Sequence, residues 1–99
     1  MICQKCKKEF PEAEIQVSHD IPKYLGGEDW NGRHNLCIKC HHEYDSLILK
    51  KCLEWLGEDY CEEEKIFWMK EIKRLPNNVK GILKGIAEKA QRGVFENER

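Results

Sequence analysis

Two Cys-x-x-Cys pairs, Cys3/Cys6 and Cys37/Cys40, constrain this chain more than any other feature. Each pair sets two thiols on one tight turn, and two such pairs supply the four sulfurs of a tetrahedral zinc site. A chain of 99 residues forms one domain with a limited core. Zinc bound at a four-thiolate site contributes on the order of 10–16 kcal/mol, comparable with the stability of a whole domain. The rival reading is a redox dithiol, but a redox Cys-x-x-Cys usually stands alone near a βαβ pattern, and none is evident here. The opening residues Met1-Ile2-Cys3-Gln4-Lys5 lack the apolar stretch of a secretory signal, and no apolar run approaches a membrane span. A reducing, cytoplasmic setting without membrane contact is therefore expected, where clustered thiols signify metal more often than disulfides.

Between and after the cysteine pairs the pattern is mixed. Glu14 to His19 alternate polar and apolar residues, which predicts a short strand with Ile15, Val17 and His19 on one face. Pro22 stops it, Gly26-Gly27 mark a turn, and a second strand is expected over Arg33 to Ile38. A helix is predicted from about Cys40 to Leu56, with Tyr44, Leu47, Ile48, Cys52, Trp55 and Leu56 on its apolar side and Gly57 at its end. On that stripe Cys52 reads as a buried thiol, and Cys61 is left without a role. Asp59 and Glu62 resemble a capping box for a helix over Tyr60 to Arg74, with Trp68, Ile72 and Leu75 inward. After Pro76, the residues Val79, Ile82, Leu83, Ile86 and Ala90 form a third apolar stripe that Gly93 can cap. The expected fold is α+β: residues 1–56 form a small zinc-stabilised core, and residues 57–99 form a helical extension packed on it within the same domain. Two strands do not make a substantial sheet, so the metal and the first helix must complete the unit.

The formal net charge is -1, which argues neither for nor against a polyanionic partner. Its distribution is uneven: Glu54 to Glu64 are acidic, whereas the last helix carries Lys80, Lys84, Lys89 and Arg92 against Glu88. These are either solvated helix faces or a basic end that lies along phosphates while the acidic segment faces away.

The run Val17-Ser18-His19-Asp20-Ile21-Pro22, with Gly26-Gly27 and then Leu36-Cys37-Ile38-Lys39-Cys40-His41, resembles the HNH endonuclease family in its cysteine-bearing form. The resemblance covers residues 3–45, and residues 46–99 carry no part of it. It implies a ββα-metal core in which His19 is the general base on water and His41 helps hold one divalent ion, commonly magnesium, manganese or zinc. Asp45 stands one helical turn beyond His41 and shares its face, which suits capture of the same ion. The substrate implied is DNA, cut to a 5′-phosphate and a 3′-hydroxyl. Two positions depart from the family pattern. Ser18 stands where an ion-binding Asp or His is usual, and Asp20, on the same strand face, competes for that place. Gly32 stands where the middle Asn is usual; Asn31 is one place off, and Asn35 lies too close to Cys37.

Arg33, Lys80 and Lys84 are the candidate contacts to nucleic acid, and Arg33 reads equally as a plain surface residue. Trp30 suits stacking or packing, and His34 and His42 have no assigned role. Two other functions fit the same residues: an HNH-like zinc module that binds nucleic acid or a protein partner without cutting, and an interaction protein whose Gly81 and Gly85 permit close helix pairing, as in a homodimer.

Overall fold

A computed structural model describes residues 1–28, 30 and 32–95. Two strands, β1 (Ile15–His19) and β2 (Arg33–Cys37), pair antiparallel with Ile15 opposite Cys37, Ser18 opposite His34 and His19 opposite Arg33. Three helices follow, α1 (Ile38–Leu56), α2 (Lys65–Lys73) and α3 (Asn77–Phe95). The α+β class and the order expected from the sequence are both present. Among the described residues no helix is long and apolar enough to cross a membrane.

The N-terminal turn is built around Cys3, whose N–H donates to the Lys8 carbonyl at 3.0 Å while its carbonyl accepts from Lys7 N–H at 2.9 Å. Gln4 ties this turn to β2 twice. Its N–H donates to the Asn35 carbonyl at 2.8 Å, and its side-chain oxygen accepts from Asn35 N–H at 2.5 Å. The turn after β1 is equally constrained. A Cβ at Gly27 would lie 1.9 Å from the Ile21 carbonyl oxygen, so only a residue without one lets the chain double back on Pro22.

Helix α1 is the centre of the core. Tyr44, Ile48, Leu49, Cys52 and Leu53 are buried on it, and Ile72 from α2 and Leu83 and Ala87 from α3 close over them. The apolar side is turned relative to the sequence expectation: Leu49 and Leu53 are inside, and Trp55 is half exposed at 50%. The reason is that α3 packs along α1 as well as the hairpin does, so the buried arc is wider than one stripe. Cys52 is buried as expected, and burial pushes its thiol up to about 11. Gly57 ends the helix, its N–H bonding back to the Glu54 and Leu53 carbonyls.

Three expectations about the extension need correction. The Asp59/Glu62 capping box does not form; Glu62–Glu64 make a single 3₁₀ turn and α2 begins at Lys65. The Tyr60 hydroxyl, bonded to Glu62 and to Ser46 Oγ on α1, holds this segment against α1 instead. Ile82 is largely exposed rather than part of the buried stripe. Gly93 does not cap α3, which continues to Phe95 because that ring stacks on His34 at 3.6 Å and tilts against Tyr44 at 5.5 Å.

Candidate metal centre and catalytic cleft

The N-terminal turn and the start of α1 bring the four cysteine thiols together. The Sγ atoms of Cys3, Cys6, Cys37 and Cys40 all lie within 4.8 Å of one another. A tetrahedral ion with metal–sulfur bonds of about 2.3 Å spaces its sulfurs by roughly 3.8 Å, so the cluster has the right dimension and donor set for a metal ion such as zinc. Cys3, Cys37 and Cys40 are buried and Cys6 is half-buried. Burial works to raise the Cys3 thiol, but hydrogen bonds from the backbone N–H groups of Cys6, Cys37 and Lys5 hold it at about 6. Burial pushes Cys40 the other way, helped by its hydrogen bonds with the neighbouring thiols. Four thiolates at this separation repel one another strongly, and a bound cation removes that repulsion.

A second concavity opens on the other side of α1. Its volume is about 260 Å³, and His19 from β1, His41 and Asp45 from α1 and Lys65 from α2 all line it. The structure therefore brings together the three residues singled out for chemistry in the sequence. His41 Nδ1 donates to Gln16 Oε1 at 2.6 Å, and its Nε2 lies 3.5 Å from Asp45 Oδ2. In the tautomer that carries its proton on Nδ1, the ring presents the Nε2 lone pair beside a carboxylate, the donor arrangement of a cation site. Burial pushes the Asp45 carboxyl up while the positive charges of His41, Lys65 and His42 draw it down. Among the described residues the four cysteines are the one group of three or more ligating side chains that converges, so His41 and Asp45 make a pair rather than a closed cage.

Ser18 and Asp20 do not line this cleft. Ser18 is buried, and its Oγ has no hydrogen-bond partner among the described residues. Asp20 is 6% exposed and fully engaged. Its carboxylate accepts from His34 Nδ1 at 2.5 Å and from Gln91 Nε2 at 3.3 Å, its N–H donates to the Gly32 carbonyl at 3.0 Å, and its carbonyl accepts from the Tyr44 hydroxyl at 2.6 Å. The same carboxylate explains Gly32. That residue has φ +110°, and a Cβ there would lie 2.5 Å from Asp20 Oδ2. Asn31 lies outside the described residues, and the backbone N–H and carbonyl of Asn35 bond Gln4.

The remaining candidates are placed as follows. Arg33 is exposed and directly opposite His19 in the register, hence on the same sheet face. Lys80 donates to the Lys73 carbonyl at 3.2 Å, and the Lys84 ammonium sits 5.4 Å over the ring of Trp30, which is otherwise exposed. His42 pairs with Glu62 at 2.8 Å. Sequence reasoning missed Gln16 and the Asp20–His34–Gln91 group. Gln16 looks like any polar residue on a half-exposed strand, and Gln91 lies far from Asp20 in the chain, so neither carries a local signal.

Two antiparallel strands followed by α1, with the thiol cluster where β2 meets α1, give a ββα arrangement with a potential metal site. The sequence profile of the HNH endonuclease family matches residues 3–54, just over half of the chain, and the chain belongs to that family. No curated protein and no solved structure matches the chain. Residues 55–99, which hold α2 and α3, lie outside the matched stretch.

Gly32→Asn, which installs the residue type usual in the family, is expected to destabilise the fold by about 1–3 kcal/mol, a fall in Tm on the order of 10 °C. The loss should be smaller in the background of Asp20→Ala, because the colliding carboxylate is gone. Thermal denaturation of the two single variants and the double variant checks this; strict additivity would show that Asp20 is not what excludes a side chain at position 32.

Proposed function

We propose that this chain is a metal-dependent endonuclease that hydrolyses DNA phosphodiester bonds, with His19 as general base and His41 and Asp45 as ligands of one divalent ion. The observation that carries this reading is the shared cleft of His19, His41 and Asp45, together with the hydrogen bond between His41 Nδ1 and Gln16 Oε1. His19 takes a proton from water, whose oxygen bonds to phosphorus as the bond to the 3′-oxygen breaks. Magnesium, manganese or zinc, when bound at His41 and Asp45, supplies positive charge to the phosphoryl oxygens as negative charge grows on them. Arg33, on the same sheet face as His19, is placed to hold a non-bridging phosphate oxygen. Lys65 adds a second positive charge at the cleft wall. The four cysteines hold zinc in a structural role, with no position left open for substrate.

A specific observation favours a second reading, a module of the same fold that binds nucleic acid without cutting it. Ser18, which replaces an ion-binding residue of the family, is buried and away from the cleft, which leaves a two-residue ion site. Plasmid incubated with the protein and magnesium or manganese separates the two readings: nicking supports the nuclease, and retardation without nicking supports the binding module.

His19→Ala is expected to lower the nicking rate by at least about 100-fold while zinc content and helicity stay at parental values. A variant that cuts at the parental rate would show that His19 is not the base. Gln16→Leu should weaken manganese binding by about 10-fold or more, read by calorimetric titration, since Nδ1 of His41 loses the acceptor that sets its tautomer. Unchanged affinity would remove Gln16 from the site. Elemental analysis is expected to find one zinc per chain in the reduced protein. Stripping the metal with a strong chelator should collapse the helical circular dichroism signal, because binding at such sites is worth on the order of 10–16 kcal/mol. A metal-free protein that keeps its signal would refute the structural role.

A further inference from the structure

The cleft does not end at His19 and His41. A second concavity of about 310 Å³ is lined by Lys23, Tyr24, Ile66, Met69, Lys70 and Lys73, and it shares Lys23, Tyr24 and Met69 with the first. The two form one groove that leads from the histidines, past the turn at Lys23–Leu25, to the end of α2. Its walls carry Lys23, Lys65, Lys70 and Lys73, and none of these makes an ion pair among the described residues. Lys23, Lys70 and Lys73 are exposed. The acidic residue of α2 is sorted to another side: Glu71 pairs with Arg74 at 3.6 Å and lines a separate hollow with Trp68 and Leu75. The lysines named from the sequence are engaged elsewhere, Lys80 on the Lys73 carbonyl and Lys84 over Trp30.

We infer that the phosphodiester backbone of the bound nucleic acid runs along this groove, on Lys23, Lys65, Lys70 and Lys73, rather than along α3. The inference rests on the nuclease reading for the direction of the groove, since it takes the scissile phosphate to sit at His19. Lys65 to Lys73 span eight residues of helix, roughly 12 Å, long enough for successive phosphates of one strand to meet different lysines. The side chains are lysines, which act as point charges without the planar fork that reads base edges, and the floor of Tyr24, Ile66 and Met69 offers few polar atoms. The groove therefore binds backbone without sequence preference. The position of Lys70 and Lys73 in the last turn of α2 also suits the helix dipole, but that role alone predicts a change in stability and none in salt dependence.

The test measures binding of a short DNA duplex by fluorescence anisotropy across a salt series, with His19→Ala as the parent so that no cleavage intervenes. In that parent, the triple change Lys23→Gln, Lys70→Gln, Lys73→Gln should weaken binding and reduce the slope of log K against log salt by about 2.7, near 0.9 for each phosphate that is no longer neutralised. Arginine at the same three sites should restore the slope. The control Lys80→Gln, Lys89→Gln on α3 should keep the parental slope. A triple variant with parental affinity and slope overturns the inference, as does a control whose slope falls as far. If the protein with His19 intact never nicks DNA, the nuclease reading fails, yet the anisotropy arm still decides whether the groove is the binding surface.

Discussion

The cluster of four thiols is the contact on which the rest of the structure depends. It joins Cys3 and Cys6, near the start of the chain, to Cys37 and Cys40 at the end of β2 and the start of α1. A hairpin of two five-residue strands is marginal by itself, and the turn that carries Cys3 has only the Gln4–Asn35 bonds to hold it to β2. Repulsion among four thiolates would oppose this arrangement, and a cation held there, as proposed, would couple metal binding to folding. The same knot fixes the first turn of α1. His41 follows Cys40 directly, so the thiol cluster also sets the angle from which His41 faces the cleft.

Much of the site was legible from spacing. The cysteine pairs, the His19 strand, and the i, i+4 relation of His41 to Asp45 are all local patterns, and the structure places them as those patterns require. Gly57 at the end of α1 is another local signal that held. What was not legible depends on distant parts of the chain. Trp55 turns outward and Leu49 inward because α3 claims part of the α1 surface, and nothing in residues 40–56 announces that neighbour. Gly93 reads as a helix stop until Phe95 is seen stacked on His34, since the ring contact outweighs the intrinsic cost of a glycine in a helix. The acidic segment before α2 misled in the same way: the Tyr60 hydroxyl bonds Ser46 on α1 and takes up Glu62, the residue that would have closed the capping box.

Gly32 and Asp20 are best understood as one change at two positions. Read singly, Gly32 is a lost asparagine and Asp20 is a spare carboxylate beside the base. In the structure the carboxylate lies where a side chain at position 32 would project, and the glycine backbone supplies the carbonyl that accepts the Asp20 N–H. The segment between β1 and β2 is tied by Asp20 to the Gly32 carbonyl, His34 and Gln91. Engaged by His34 and Gln91, that aspartate is not available to a catalytic ion, so the Ser18 substitution is not compensated from Asp20.

This arrangement ties the extension to the core beside His19. Asp20 directly follows His19, and its N–H, carbonyl and carboxylate are held from β2, α1 and α3 at once. Gln91 reaches the carboxylate from α3, while Phe95 covers His34, the residue paired with Ser18 across the sheet. The end of β1 is therefore braced by residues that lie beyond the family-matched stretch. A strand end with only one neighbouring strand frays easily, and a general base on such an end loses its aim. The last helix meets that weakness by clamping Asp20, the residue next to His19, which makes residues 77–95 a brace for the end of β1 as well as a cover for α1.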